Sequence, residues 1–145
     1  MYLFPHDDKW LLDFQEESVA LSYAYSGEIT LHHIGSTAVK GLYAKNCIDI
    51  LGVVDHISDV VKEVDNFVAL GYVYKGEYGI TGRSYFSKAC RKVHLHIFER
   101  GSAEVAKHLN FVQVLLSDAS LVQELNMLKI RLHQKYPENK ECYQR

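Results

Sequence analysis

The run from Ile48 to Val54, IDILGVV, constrains this chain more than any other stretch. It is apolar at every position except Asp49, rich in β-branched residues and too short for a stable helix. Such a run is expected of a central strand covered on both faces. An acid inside it needs a partner, because carboxylates are rarely buried without a hydrogen-bonding group, a cation or a metal. Two readings of Asp49 stay open at this point: a strand-edge acid tied to a backbone amide or a lysine, or a functional carboxylate.

The strand closes a longer organising segment, His32 to Val54, HHIGSTAVKGLYAKNCIDILGVV. It reads as a strand over Thr30–Ile34, a Gly-Ser turn, a basic loop, and the apolar strand. Before it, residues 1–8 form a loosely docked or disordered arm. Trp10 to Tyr25 is helical, with Leu11, Phe14, Ser18, Leu21 and Tyr25 on one face and Gly27 as a left-handed cap. After it comes a helix capped by Asp55 or Ser58, with Ile57, Val60, Val61, Val64, Phe67 and Val68 buried. Strands follow at Tyr72–Tyr74, Arg83–Lys88 and Val93–Phe98. The last alternates, with Val93, Leu95 and Ile97 on one face and His94, His96 and Phe98 on the other. Ser102 caps a helix with stripe Val105, Leu109, Val112 and Leu116. Ser120 and Gln123 resemble a capping box for a last helix with Leu121, Leu125, Leu128 and Leu132, stopped by Pro137. Strands grouped apart from helices predict an α+β fold, a mixed sheet of about five strands with helices mainly on one face. The other face is left to form a cleft.

At 145 residues the chain is expected to be one domain, 1–145. A net charge of −2 gives no field for non-specific nucleic-acid or membrane binding. No apolar run approaches the roughly 20 residues that span a bilayer, and a signal-peptide pattern is absent. Cys47, Cys90 and Cys142 show no CxxC spacing, which argues for a reduced, cytoplasmic chain.

Four groups can carry chemistry. Gly35-Ser36-Thr37 follows a strand, so backbone N–H groups and two hydroxyls can approach an anion, with Lys40 and Lys45 in the same loop; on the triplet alone, ordinary turn chemistry is the simpler explanation. His94 and His96 share a strand face roughly 7 Å apart by the rise per residue, which suits two ligands of one ion or two donors to one phosphate. Of His32 and His33, alternation lets at most one reach that cleft. Gly79-Ile80-Thr81-Gly82-Arg83 is a flexible turn that can deliver a guanidinium to phosphate, or a hairpin with a solvated arginine. Tyr72, Tyr74, Tyr78 and Tyr85 read as hydrophobic wall, with a purine on one of them as the alternative. Cys47 reads as packing. Ser36, His33 and Asp49 supply triad residue types without the spacing of a positioned base and oxyanion hole.

These stretches, with GYVYKGEYGITGRSYF, VHLHIFERGS, HLNFVQVLL and the LKIRLHQKYPENKECY tail, resemble the GrpB family from Trp10 onward. GrpB proteins are similar to nucleotidyltransferases, whose hallmark is Gly-Ser followed on the next strand by an acid pair. The resemblance implies a phosphate-holding role for Gly35 and Ser36, joined by Thr37, Lys45 and Arg83, and makes Asp49 the first acid. The second acid position is Leu51, and His94 and His96 stand on the strand where a third acid would be. Lys40 stands where the family usually has proline, and Arg145 falls short of its usual C-terminal segment. Transfer in the superfamily uses two divalent ions held by carboxylates. One Asp with histidines is a poor magnesium site and suits a transition ion better. The resemblance implies a phosphorylated small molecule or nucleotide as ligand, with Asp49, His94 and His96 holding a divalent metal or moving protons. The alternatives are an inactive accessory domain linked to dephospho-CoA kinase or another CoA-pathway enzyme, and a metal-dependent hydrolase.

Overall fold

The computed structural model describes residues 3–135; the Pro137 stop and Cys142 lie outside them. The order is α1 (Lys9–Ala24), β1 (Ile29–Ile34), a 3₁₀ turn (Ser36–Ala38), β2 (Ile48–Val54), and a 3₁₀ segment (Ile57–Glu63) that runs into α2 (Val64–Val68). Then come β3 (Tyr72–Tyr74), β4 (Ser84–Lys88), β5 (Val93–Glu99), α3 (Ala103–Leu116) and α4 (Ala119–Lys135). The strands form one mixed α+β sheet in the order β1-β2-β5-β4-β3. β2 and β5 run parallel at its middle, and the other pairs are antiparallel. Parallel neighbours need a long crossover, and α2, β3 and β4 all lie within it.

Alternation then sorts the side chains. Ile48, Ile50, Leu95, Ile97 and Phe86 face α1 and α2, where Trp10, Leu21 and Phe67 complete the larger core. Leu51, Val53 and Phe98 point the other way and meet Ile34 with Val105, Leu109 and Val112 of α3. α3 thus covers one end of that second face. Asp49, opposite His94 in register, and Tyr85, opposite His96, lie beyond it. A third cluster of Val39, Leu42, Leu115 and Val122 ties the loop after the Gly-Ser turn to α3 and α4. Asn126 of α4 fastens that loop: its Nδ2 donates to Gly41 O at 2.8 Å and its Oδ1 accepts from Tyr43 N at 2.7 Å.

Several local expectations are corrected. Leu3 is buried, and the backbones of Phe4 and Ala44 exchange hydrogen bonds at 2.9 and 3.0 Å, so residues 3–8 are docked rather than loose. α1 ends in an extended Tyr25, and Gly27 takes no positive φ. Leu11 is exposed, while Trp10 is buried. Ile57–Val68 is not one α-helix; its first part is 3₁₀. Three residues per turn shift the phase, so Val61 and Val68 are exposed while Val60 and Phe67 are buried. Its first amide, Ile57 N, is met by Glu99 Oε1 at 3.1 Å, not by Asp55 or Ser58. Ser102 does cap α3, accepting from Glu104 N. α3 buries Leu115 instead of Leu116, and α4 buries Val122 and Asn126 with Leu128 exposed, because both helices grip the 39–44 loop. At the α4 start, Asp118 Oδ1 takes Leu121 N and the Ser120 hydroxyl, in place of the expected box.

Candidate functional site

β1 ends at Ile34, just before Gly35, and β2 returns beside it with Asp49. Gly35 has φ 74 and ψ −171, a conformation all but confined to glycine. The reason is also steric: a Cβ there would lie 2.7 Å from Asp49 Oδ2. The Gly-Ser turn is therefore folded onto the carboxylate. It then enters the 3₁₀ turn that buries Ser36 and Thr37.

The acid meets both strand histidines. His96 Nε2 is 3.2 Å and His94 Nδ1 is 3.5 Å from the same oxygen, Asp49 Oδ1. Burial by itself would raise the Asp49 pKa, but the hydrogen bonds from His94 and His96 outweigh it and hold the carboxyl well below the usual range. His94 Nδ1 also lies 3.5 Å from Cys47 Sγ. Burial first, then the Asp49 charge, push the Cys47 thiol up to about 12. Cys47 and Asp49 are two apart, so strand alternation already carried the signal that they share a face. The Cys47, Asp49 and His94 ligand atoms lie within 4.8 Å of one another.

Arg83 reaches this group from behind. It is 8% exposed, its Nε donates to Glu77 O at 3.1 Å and its Nη2 to Tyr78 O at 2.8 Å. Its Nη1 lies 3.1 Å from His96 Nδ1. Arginine only donates, so His96 Nδ1 accepts and the ring proton sits on Nε2, facing Asp49. The chain Arg83–His96–Asp49 positions the carboxylate. The guanidinium also lies over Tyr85, 4.5 Å from its centroid, and Tyr85 stacks on Tyr78 at 5.1 Å.

The opposite wall comes from α4. Lys129 Nζ donates to Ser36 Oγ and to Tyr43 O, each at 2.8 Å. Lys129 lies in the LKIRLHQKYPENKECY stretch, but no spacing within it assigned the residue to this site; helix packing brings it to a partner 93 positions back along the chain. A hollow of about 50 Å³ opens between Ser36, Thr37, Lys45, Cys47, Asp49 and His94. That is room for an ion or a water, so a larger ligand would present one group there and lie mostly outside. A recess of about 330 Å³ beside Ser26, Asp55 and Glu63 contains none of the sequence-predicted residues, and its acidic lining disfavours phosphate.

Thus Gly35, Ser36, Thr37, Lys45, Asp49, His94 and His96 come together, and Arg83 touches the group only through His96. His33 does not join. It points to the other face, stacks on Phe14 at 4.8 Å and bonds Thr37 Oγ1 at 2.9 Å. The two-magnesium arrangement does not fit these side chains. Leu51, at the second acid position, is fully buried in the apolar cluster with Phe98, and Asp49 is the one carboxylate lining the hollow among the described residues. No helix among the described residues is long and apolar enough to cross a membrane.

Comparison with known proteins gives consistent relatives. The family model described as GrpB protein matches residues 1–145. The UPF0157 protein YqkA of Bacillus subtilis is 36% identical over 141 residues, covering 95% of this chain and 41% of YqkA. The glutamate-rich protein GrpB of Alkalihalophilus pseudofirmus is 30% identical, covering 97% of this chain and 86% of that protein. This chain spans 41% and 62% of the lengths of YqkA and of a Streptomyces coelicolor UPF0157 protein, less than two thirds of either. The crystal structure of conserved protein GrpB from Enterococcus faecalis superposes with a TM-score of 0.92 at 32% identity, covering 97% of this chain and 88% of that one. The Cid1 poly(U) polymerase bound to MgATP superposes at 0.64 with 16% identity, covering 94% of this chain and 46% of Cid1, which shows a shared nucleotidyltransferase-like fold.

Proposed function

This chain belongs to the GrpB family, and from that premise we propose that it binds a phosphorylated small molecule, a nucleotide first among them, at the Asp49 cleft. The observation that carries the reading is the Gly-Ser turn pressed onto Asp49, with Lys129 behind the Ser36 hydroxyl and Lys45 on the same hollow. Serine hydroxyls, lysine ammonium groups and backbone N–H groups are the donors that hold phosphate oxygens. Gly35, Ser36, Thr37 and Lys45 hold the phosphate, and Asp49, His94 and His96 order its approach. Arg83 acts as a positioning residue for His96. Cid1 structures carry MgATP and MgGTP, which supports nucleotides as the first ligands to try.

A second reading has its own observation. Leu51 contributes apolar burial worth about 1.5–3 kcal/mol where transfer chemistry would need a second carboxylate. That favours a binding or accessory module, with a CoA-pathway enzyme such as dephospho-CoA kinase as partner, over a transferase. Titration calorimetry with ATP, CTP and CoA-related nucleotides, with and without Mg²⁺, Mn²⁺ or Zn²⁺, tests the ligand. One-site heat that disappears in Ser36→Ala and Lys45→Ala supports the cleft; heat from none of them defeats it. Binding without turnover, together with a kinase complex that survives Asp49→Ala, selects the accessory reading.

A further inference from the structure

The donor set under the Gly-Ser turn is not the oxygen cage of a magnesium enzyme. Cys47 lies just before β2, Asp49 within it and His94 on the parallel neighbour β5, so three different donors meet on two adjacent strands. In a tetrahedral zinc site, Zn–S of about 2.3 Å and Zn–N or Zn–O of about 2.0–2.1 Å set the sulfur-to-nitrogen edge near 3.6 Å and the nitrogen-to-oxygen edge near 3.4 Å. The observed edges are 3.5 Å for Cys47 Sγ to His94 Nδ1 and 3.5 Å for His94 Nδ1 to Asp49 Oδ1. His96 is not part of the set, since its Nδ1 takes a donor from Arg83 and its Nε2 faces Asp49. It fixes the carboxylate, as hydrogen-bonded groups around metal ligands commonly do.

We propose that Cys47, Asp49 and His94 bind one thiophilic transition ion, of the zinc or cobalt class. Among the described residues, the fourth position is left to water or to an oxygen of the phosphorylated ligand, because the same three side chains line the hollow with Ser36 and Lys45. Three protein ligands with one open position is the pattern of reactive zinc sites. On binding, the Cys47 S–H bond breaks heterolytically, its proton leaves to solvent and the sulfur's electron pair forms the S–metal bond. The proposal deepens the cleft reading by naming what the carboxylate carries.

The test uses this 145-residue chain without a tag and with Cys90→Ser and Cys142→Ser, which leaves Cys47 as its only thiol. Cobalt(II) is added and followed by absorbance, and zinc affinity is measured against a chelator. The expected result is one cobalt per chain with a thiolate-to-cobalt charge-transfer band. Cys47→Ser and His94→Gln then weaken zinc by at least the roughly 10–100-fold that loss of an outer hydrogen-bonding partner costs, while circular dichroism stays unchanged. Zinc affinity that is the same in both variants, or cobalt binding without a thiolate band, overturns the proposal. Nucleotide titrations of metal-stripped wild type and Cys47→Ser separate the two readings. Nucleotide bound without any metal site leaves the cleft reading standing and removes this one; metal bound without nucleotide does the reverse.

Discussion

Replacing Gly35 by alanine tests the central contact of the site. Two terms add. The backbone at φ 74 and ψ −171 is a region almost closed to residues with a Cβ, at about 1–3 kcal/mol. The new methyl also falls 2.7 Å from Asp49 Oδ2, 3.1 Å from its Cβ and 3.2 Å from its Cγ. Asp49 sits on a strand paired on both sides, so its side chain must swing. That weakens its bond to His96, and a hydrogen bond to a charged group is worth about 1.5–3 kcal/mol. The summed loss is about 2.5–6 kcal/mol, a large share of the roughly 5–15 kcal/mol that holds a domain folded. Urea unfolding measures it. Gly79→Ala is the control, since Gly79 has φ 90 but nothing within 4 Å of its added Cβ. A double-mutant cycle then isolates the contact: in an Asp49→Ala background, Gly35→Ala should cost less, namely the backbone term and the 3.1 Å approach to the Cβ that alanine keeps. A Gly35→Ala loss no larger than that of Gly79→Ala, or one unchanged by removing Asp49, would refute the close-approach argument.

Two further outcomes follow from the same geometry. The nitrogen-15 shifts of His96 should report a proton on Nε2 in the wild type, and Arg83→Met should mix the tautomers by removing the donor to Nδ1; an Nδ1-protonated ring in the wild type contradicts the Arg83–His96–Asp49 chain. Burial holds the His33 pKa down at about 4, against 6.5 for the free side chain, so between these values the unfolded chain carries more protons and stability falls as pH drops from about 6.5 to 4. The His33→Gln variant should show a flatter unfolding free energy across that window, and an unchanged slope would count against the assignment.

The strands were legible because their signals are local. Alternation in Val93–Phe98 and the apolar run around Asp49 gave the sheet, and period two alone put His94 and His96 on one face. The Gly-Ser turn is legible as a turn, but not as the lid of Asp49, since that closeness depends on how β1 pairs with β2. Arg83 read as a free cation because sequence does not show that its own turn carbonyls and His96 take its donors. The helix faces at Leu115, Val122 and Asn126 depart from the periodic stripes for a related reason. Their partner is an irregular loop, and a loop leaves no period for a helix to match.

What the sequence determined by itself is the class of fold and the placement of His94 and His96 on one strand face, because strand periodicity acts over a few residues. What only the tertiary structure decided is which donors complete the site: Cys47 as a neighbour of His94, Lys129 behind Ser36, His96 locked by Arg83. These contacts join residues 13 to 93 positions apart. At such separations geometry is set by sheet register and helix docking, which no local pattern of side chains encodes.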